Sequence, residues 1–320
     1  MTLLDEFKDM SLEQLHAEVG RRQAAKEAER LAGVETDALV SALLEKERVI
    51  YGVDDRQDMF AVTDQKIRRD ADCVAGMFRS NQVVDNGDGT VNVATSNFGA
   101  AFNLCASEPF RHQPIGPICS GFFVGKDLLV TAGHCVNAGN IGSTWFVFGF
   151  RMKNATTPPD TRLEAYLGKE VIARALDPIG ADYALVRLTR KVANHKAAKL
   201  RESGKIRNNQ AVHVIGHPSG LPTKFAGGAS VRDNAPSKFF VANLDTYGGN
   251  SGSPVFNSKT HKVEGILVRG ETDFISSGTC MVSKVCPSTG CRGEDCTRIT
   301  ELSDLIDDLL EDEDDSDEDY

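Results

Sequence analysis

Three short blocks stand in a fixed order along the chain: Thr131-Ala132-Gly133-His134-Cys135, then Asp182-Tyr183-Ala184-Leu185, then Gly248-Gly249-Asn250-Ser251-Gly252-Ser253-Pro254. Together they offer a nucleophile, a base and an acid that can orient the base. A serine hydroxyl needs a neighbouring base to take its proton as it attacks a carbonyl. His134 suits that task, because an imidazole titrates near neutrality and can return the proton to a leaving amine. Asp182 would accept a hydrogen bond from the other ring nitrogen and stabilise the imidazolium. The attacked carbonyl becomes an oxyanion. The N–H groups of Gly249 and Ser251 could converge on it, since glycine reaches backbone angles closed to other residues.

The elements that must position these residues read as strands. Gly121 to Val124 and Leu128 to Val130 are apolar runs separated by Gly125-Lys126-Asp127, a hairpin that delivers His134 at its end. Asp182 opens the near-continuous apolar run 183–188. Ser251 precedes Pro254-Val255-Phe256, and Val263 to Val268 follows. Such runs, punctuated by Gly and Pro, persist from about residue 83 to 300, which makes the sequence all-β. Periodicity alone leaves barrels and a sandwich both open.

The order and content of the three blocks resemble the chymotrypsin-like serine peptidases, and most closely the bacterial branch of V8-like glutamyl endopeptidases. The resemblance implies two six-stranded antiparallel β-barrels with the site between them, a Ser-His-Asp triad of Ser251, His134 and Asp182, an oxyanion hole at Gly249 and Ser251, and no cofactor or metal. It also implies a disulfide between Cys119 and Cys135, which bracket the hairpin leading to His134. A catalytically silent binding protein of the same fold is the alternative function.

The same resemblance places the substrate cleft. Asp245, Thr246 and Tyr247 would line the pocket, and the backbone of Leu267, Val268, Arg269 and Gly270 would run antiparallel to a bound peptide. Leu267 stands where glutamyl-specific relatives carry a His, and leucine cannot bind a carboxylate. Val268 replaces a family Ser that supports the catalytic Asp. Arg269 would serve acidic groups beyond the first subsite, and Asp245, six residues before Ser251, hints at a basic residue at the cleavage point.

Residues 1–48 differ in kind, being rich in Ala, Glu, Leu, Lys and Arg. Ser11 to Gln14 reads as a capping box opening a helix that Gly33 ends. Thr36 starts a second, with Leu39, Leu43 and Leu44 on one face. This helical leader is a pro-segment or an interaction module, with an activating protease or a recruitment partner as its counterpart. Val49 to Arg56 resembles the mature amino terminus of V8-like enzymes, so Arg48-Val49 is a candidate processing point. Asn250 precedes Ser251 where trypsin-type zymogens carry Asp, which excludes activation by a salt bridge from the new terminus. The peptidase domain is expected over residues 49–310. It closes with a helix that carries Leu302, Leu305, Ile306, Leu309 and Leu310 on one face, with Ser303 as its cap.

The formal charge of −10 is concentrated in residues 311–320, which hold eight acidic side chains and no basic one; the remainder is near −2. That tail reads as a disordered solvated end. A nearly neutral body gives no basic stripe for nucleic acid, and no apolar stretch approaches the ~18 residues of a membrane span. The partners expected are protein or peptide substrates. Cys280, Cys286, Cys291 and Cys296 lack the close Cys-x-x-Cys pairs of a zinc site, so disulfides within this loop, or from it to Cys105 or Cys73, are expected. Eight cysteines argue for an oxidising compartment, while Met1 to Asp9 lacks the apolar core of a secretory signal. Secretion or a periplasmic site is slightly favoured over the cytoplasm.

Overall fold

The computed structural model describes residues 50–317 apart from 178, 271 and 272, together with Ser11, Gln14, Leu15 and Glu18. Within the leader, Ser11 N–H donates to Gln14 Oε1 at 2.8 Å and Gln14 N–H to Ser11 Oγ at 3.2 Å, the reciprocal pair of a capping box. The second leader helix and the Arg48-Val49 junction lie outside the described residues.

Twelve of the strands among the described residues build two closed barrels. β1 (Val74–Arg79), β2 (Cys119–Gly125), β3 (Leu128–Thr131), β4 (Thr144–Phe148), β5 (Arg162–Leu176) and β6 (Asp182–Leu188) form the first barrel. They pair in the order β4-β1-β2-β3-β6-β5, and β5 returns to β4, so the sheet closes. β7 (Ala211–Gly216), β8 (Lys224–Asp233), β9 (Phe239–Ala242), β10 (Pro254–Asn257), β11 (Val263–Arg269) and β12 (Glu294–Arg298) form the second. Their order is β7-β10-β11-β12-β9-β8, closed by β7 against β8. Every pairing named is antiparallel. Closure removes the free edges that an open sheet would leave exposed. The two-barrel fold implied by the resemblance is therefore present.

The apolar runs explain the strands. β2 and β3 are buried along almost their whole length, as are β10 and β11. Phe122, Val130, Phe146, Tyr166 and Leu185 share one buried cluster that continues into Phe256 and Val263 of the second barrel and Ile306 of the carboxy-terminal helix. Burial of each such side chain contributes about 1.5–3 kcal/mol. The helix, Ser303–Asp317, seats Leu302 and Ile306 in this core, while Leu305 is partly exposed. The Ser303 hydroxyl donates to the Glu202 carbonyl at 3.3 Å. The helix carries on past Glu311, into the stretch read from the sequence as a disordered tail. Once the packed turns are formed, each further turn costs little to propagate. Among the described residues no helix is long and apolar enough to cross a membrane.

Three disulfides are present: Cys119–Cys135, Cys105–Cys280 and Cys286–Cys291. Cys73 and Cys296 are buried and remain thiols. Cys119–Cys135 spans 16 positions. A link over a loop of that size contributes roughly 3 kcal/mol in the chain-entropy account. Replacing both cysteines with Ser is expected to lower the unfolding free energy by about that amount, read from the denaturant midpoint at unchanged slope. An unchanged midpoint would show that the link constrains nothing.

Candidate active site

The three sequence blocks meet between the barrels. His134 follows β3 and Asp182 opens β6, both in the first barrel. Ser251 precedes β10 in the second. His134 Nε2 lies 2.6 Å from Ser251 Oγ, and His134 Nδ1 lies 2.7 Å from Asp182 Oδ2. The His134 backbone N–H donates to Asp182 Oδ1 at 3.1 Å. Both carboxylate oxygens are thus directed at one residue, which fixes the ring. Gly133 lets the histidine turn come this close: a Cβ there would strike the carbonyls of Ala175 and Tyr183.

Asp182 is wholly buried. Burial alone would push its carboxyl up, but the His134 ring and its hydrogen bonds, with the more distant Arg269 charge, hold it below the ordinary carboxylate value. An ionised acid at this position is what a base-orienting role needs. The Asp182 backbone N–H donates to Thr297 Oγ1 at 3.0 Å, which locks the start of β6 to β12.

The nucleophile turn is held from several sides. Ser120 N–H donates to the Ser251 carbonyl at 2.8 Å, and Ser120 Oγ–H donates to the Gly249 carbonyl at 3.0 Å. The Ser219 N–H donates to the Gly248 carbonyl. Gly249 has φ +85°, a conformation that side chains rarely adopt, and its Cα faces the carbonyl of His217 and the N–H of Gly220. Glycine is therefore required there by both conformation and space. Asn250 is buried and tied locally, its Oδ1 accepting from Ser253 Oγ at 3.3 Å.

Five residues assigned to the substrate cleft from the sequence have side chains buried in the fold, which leaves the expectation for the backbone of Leu267 to Gly270 as it was. The Asp245 carboxylate accepts the N–H of Tyr51 at 2.7 Å and of Asp55 at 3.0 Å, pinning the segment that enters the body. Burial pushes the Asp245 carboxyl up. Leu267 packs in the second-barrel core, and Val268 in the cluster that runs between the barrels. Arg269 is 3% exposed. Its guanidinium meets Asp295 at 3.1 Å and donates to the carbonyls of Asp177 and Gly180, each at 2.6 Å. It braces the loop that leads into Asp182 and is not presented to a substrate. Tyr247 is buried, with the Arg56 guanidinium 3.9 Å over its ring.

Thr246 and Gly270 do come together, on a residue the sequence reading missed. Glu294 is wholly buried and accepts from Thr246 Oγ1 at 3.1 Å; the Tyr51 hydroxyl lies 3.4 Å from its other oxygen. A Cβ at Gly270 would run into the same carboxylate. In the sequence Glu294 is one of two adjacent acids opening the polar strand Glu294–Arg298, with nothing nearby to relate it to Thr246, 48 positions away.

Residues 119–266 match the family model of the trypsin-like peptidase domain. A glutamyl endopeptidase of Staphylococcus epidermidis is 27% identical over 156 residues, covering 45% of this chain and 51% of that protein. The chain thus spans about half the length of the curated relatives it matches. Among solved structures, the VesB protease of Vibrio cholerae superposes with a TM-score of 0.48 at 14% identity, over 81% of this chain and 67% of that one. A Glu endopeptidase in complex with MPD superposes with a TM-score of 0.46 at 14% identity, over 82% and 99% respectively.

Proposed function

We propose that this chain, whose residues 119–266 match a trypsin-like peptidase domain, is a serine endopeptidase acting on protein or peptide substrates. The observation that carries the reading is the hydrogen-bonded line from Ser251 Oγ through the His134 ring to the buried Asp182 carboxylate. In this reading Ser251 Oγ attacks the scissile carbonyl while its proton passes to His134 Nε2. The N–H groups of Gly249 and Ser251 take the oxyanion, and His134 returns the proton to the leaving amine. Water then hydrolyses the acyl-enzyme by the same relay. The test is covalent labelling with a fluorophosphonate probe. Labelling at Ser251 that disappears in His134→Ala supports an activated nucleophile. A folded protein that takes no label, yet binds peptide, is the silent binding protein instead.

Glu294 is the acid nearest the expected pocket wall, accepting from Thr246 Oγ1 and lying against Gly270; it is buried in the free protein, so in this reading the wall at Gly270 gives way as a substrate side chain enters. A carboxylate in that position favours Arg or Lys at the cleavage point. Charged hydrogen bonds of this kind are worth about 1.5–3 kcal/mol. Glu294→Gln is therefore expected to lower kcat/KM on Arg and Lys peptides by roughly 10- to 100-fold, with little change on an uncharged residue. Equal losses on all substrates would place Glu294 in the scaffold alone.

The leader belongs to the same reading as a removable segment, cut after Arg48. Ile50–Tyr51 pairs in parallel with Val285–Cys286, and Asp245 holds the Tyr51 N–H. A terminus freed at Val49 would thus be anchored one residue downstream, without help from Asn250. The full chain carrying Arg48→Gln is expected to be much less active than a chain beginning at Val49. Equal activity would leave residues 1–48 as an interaction module or a passive extension.

A further inference from the structure

Away from the catalytic line, three ligand-type side chains from three separate elements converge. Asp70 ends the short helix Gln65–Asp70, which precedes the first barrel. His213 lies in β7 of the second barrel. His261 sits in the turn between β10 and β11, at φ +58°. Asp70 Oδ2 is 2.5 Å from His261 Nδ1 and 3.4 Å from His213 Nε2. One donor atom from each of the three lies within 4.8 Å of the other two.

His213 makes this cluster more than an ion pair. Its ring is 2% exposed, stacked on Phe256 at 5.2 Å, and its Nδ1 meets Ser258 Oγ at 3.2 Å. In the tautomer whose Nδ1 proton goes to Ser258, Nε2 is left as a lone pair directed at Asp70. Among the described residues Nε2 has no hydrogen-bond partner. A lone pair and a carboxylate oxygen then face each other in a buried place, which is costly unless a cation lies between them. A ligating histidine is commonly oriented by a hydrogen bond from its other ring nitrogen, the part Ser258 Oγ would play here.

We propose that Asp70, His213 and His261 bind one Zn²⁺ ion. Two imidazole nitrogens and one carboxylate oxygen suit zinc better than calcium or magnesium, which prefer all-oxygen sets. Zinc bonds of about 2.0–2.2 Å in a tetrahedron put ligand atoms roughly 3.3 Å apart; the 3.4 Å between Asp70 and His213 already suits this, while the 2.5 Å hydrogen bond between Asp70 and His261 must open, giving up its proton, to admit the ion. Asp70 and His261 also line a pocket of about 290 Å³, along with Lys66, Arg69, Lys196, Lys199 and Lys259, from which a fourth ligand could come. Those cations oppose a bare dication and favour a small anion as the fourth ligand. The ion would fasten the segment before the first barrel to two loops and strands of the second. Neither Ser251 nor His134 takes part, so the site stands independently of the catalytic reading.

The test uses the full chain carrying Ser251→Ala, which prevents self-cleavage. The protein is stripped with chelator, dialysed against Zn²⁺ and freed of excess metal by gel filtration. One zinc per chain by elemental analysis is expected, with a rise in the thermal unfolding midpoint over the stripped protein. Co²⁺ in place of zinc should give the visible bands of a tetrahedral nitrogen-oxygen site. Asp70→Asn, nearly isosteric, and His261→Gln, on a surface turn, should each reduce retained zinc to near zero, whereas His134→Ala should keep it. A stripped protein that regains no metal overturns the proposal and leaves a hydrogen-bonded aspartate–histidine cluster. Undiminished zinc in folded Asp70→Asn and His261→Gln proteins overturns it equally.

Discussion

Ser251→Ala is expected to lower kcat by roughly 10⁶-fold, the scale on which a triad nucleophile is lost. His134→Ala should cost about as much. The reason is geometric: at 2.6 Å the Ser251 hydroxyl and His134 Nε2 share one proton-transfer coordinate, and neither does its part alone. The double substitution should therefore be little worse than either single one. Steady-state kinetics on a peptide mixture, with intact folding checked by circular dichroism, measures all three. Losses that add in the double variant would mean that the two side chains act in separate steps, and the catalytic assignment would fail. Residual hydrolysis above the uncatalysed rate is expected to survive in each, because the backbone donors proposed at Gly249 and Ser251 are untouched.

Asp182→Asn is expected to lower kcat by about 10⁴-fold with little change in KM. The carboxylate receives both the ring N–H and the backbone N–H of His134. An amide in its place can present its NH₂ to Nδ1, which leaves the proton on Nε2 and removes the base that Ser251 needs. The substitution also has a stability signature. The native Asp182 carboxyl is held below its ordinary value, chiefly by His134 against the penalty of burial. Its stabilising contribution is then full above the unfolded value, near pH 3.9, and is lost as pH falls through the lower native value. The Asp182→Asn protein should lack that contribution, so its stability should fall less steeply in acid. A profile parallel to wild type would show that the carboxylate is not preferentially ionised in the native state.

The Arg269 contacts bear on both expectations. Its guanidinium holds the carbonyls of Asp177 and Gly180 just before Asp182, so the acid is positioned by a charge on the opposite barrel. The two halves of the catalytic line are thereby tied together at the loop as well as at Ser251.

Much of this was legible along the chain. The hairpin before His134, the strand that begins at Asp182 and the turn around Ser251 are local events. Each is set by apolar runs a few residues long and by glycines at points where the backbone has no other option, and the structure keeps β2, β3, β6, β10 and β11 close to where those runs lie. The Cys119–Cys135 link, by contrast, rested on resemblance to a family, and the structure contains it. The partners of the other cysteines could not be read: Cys105 meets Cys280 across 175 positions, and no local pattern selects one distant thiol over another.

The direction of the buried polar side chains was decided only by tertiary structure. The resemblance to a family implies Asp245 and Arg269 at the substrate. Asp245 instead answers the backbone N–H of Tyr51, 194 positions away, and Arg269 answers Asp295 and a loop of the other barrel. Glu294, Thr246 and Gly270 became neighbours by barrel closure, as did Asp70, His213 and His261 by the packing of the first helix on the second barrel. The physical reason is the same in each case. Strand periodicity is a property of consecutive residues, so the sequence carries it. A buried charge must be satisfied by whatever donor or acceptor the fold brings within about 3 Å, and which one that is exists only after the chain has closed.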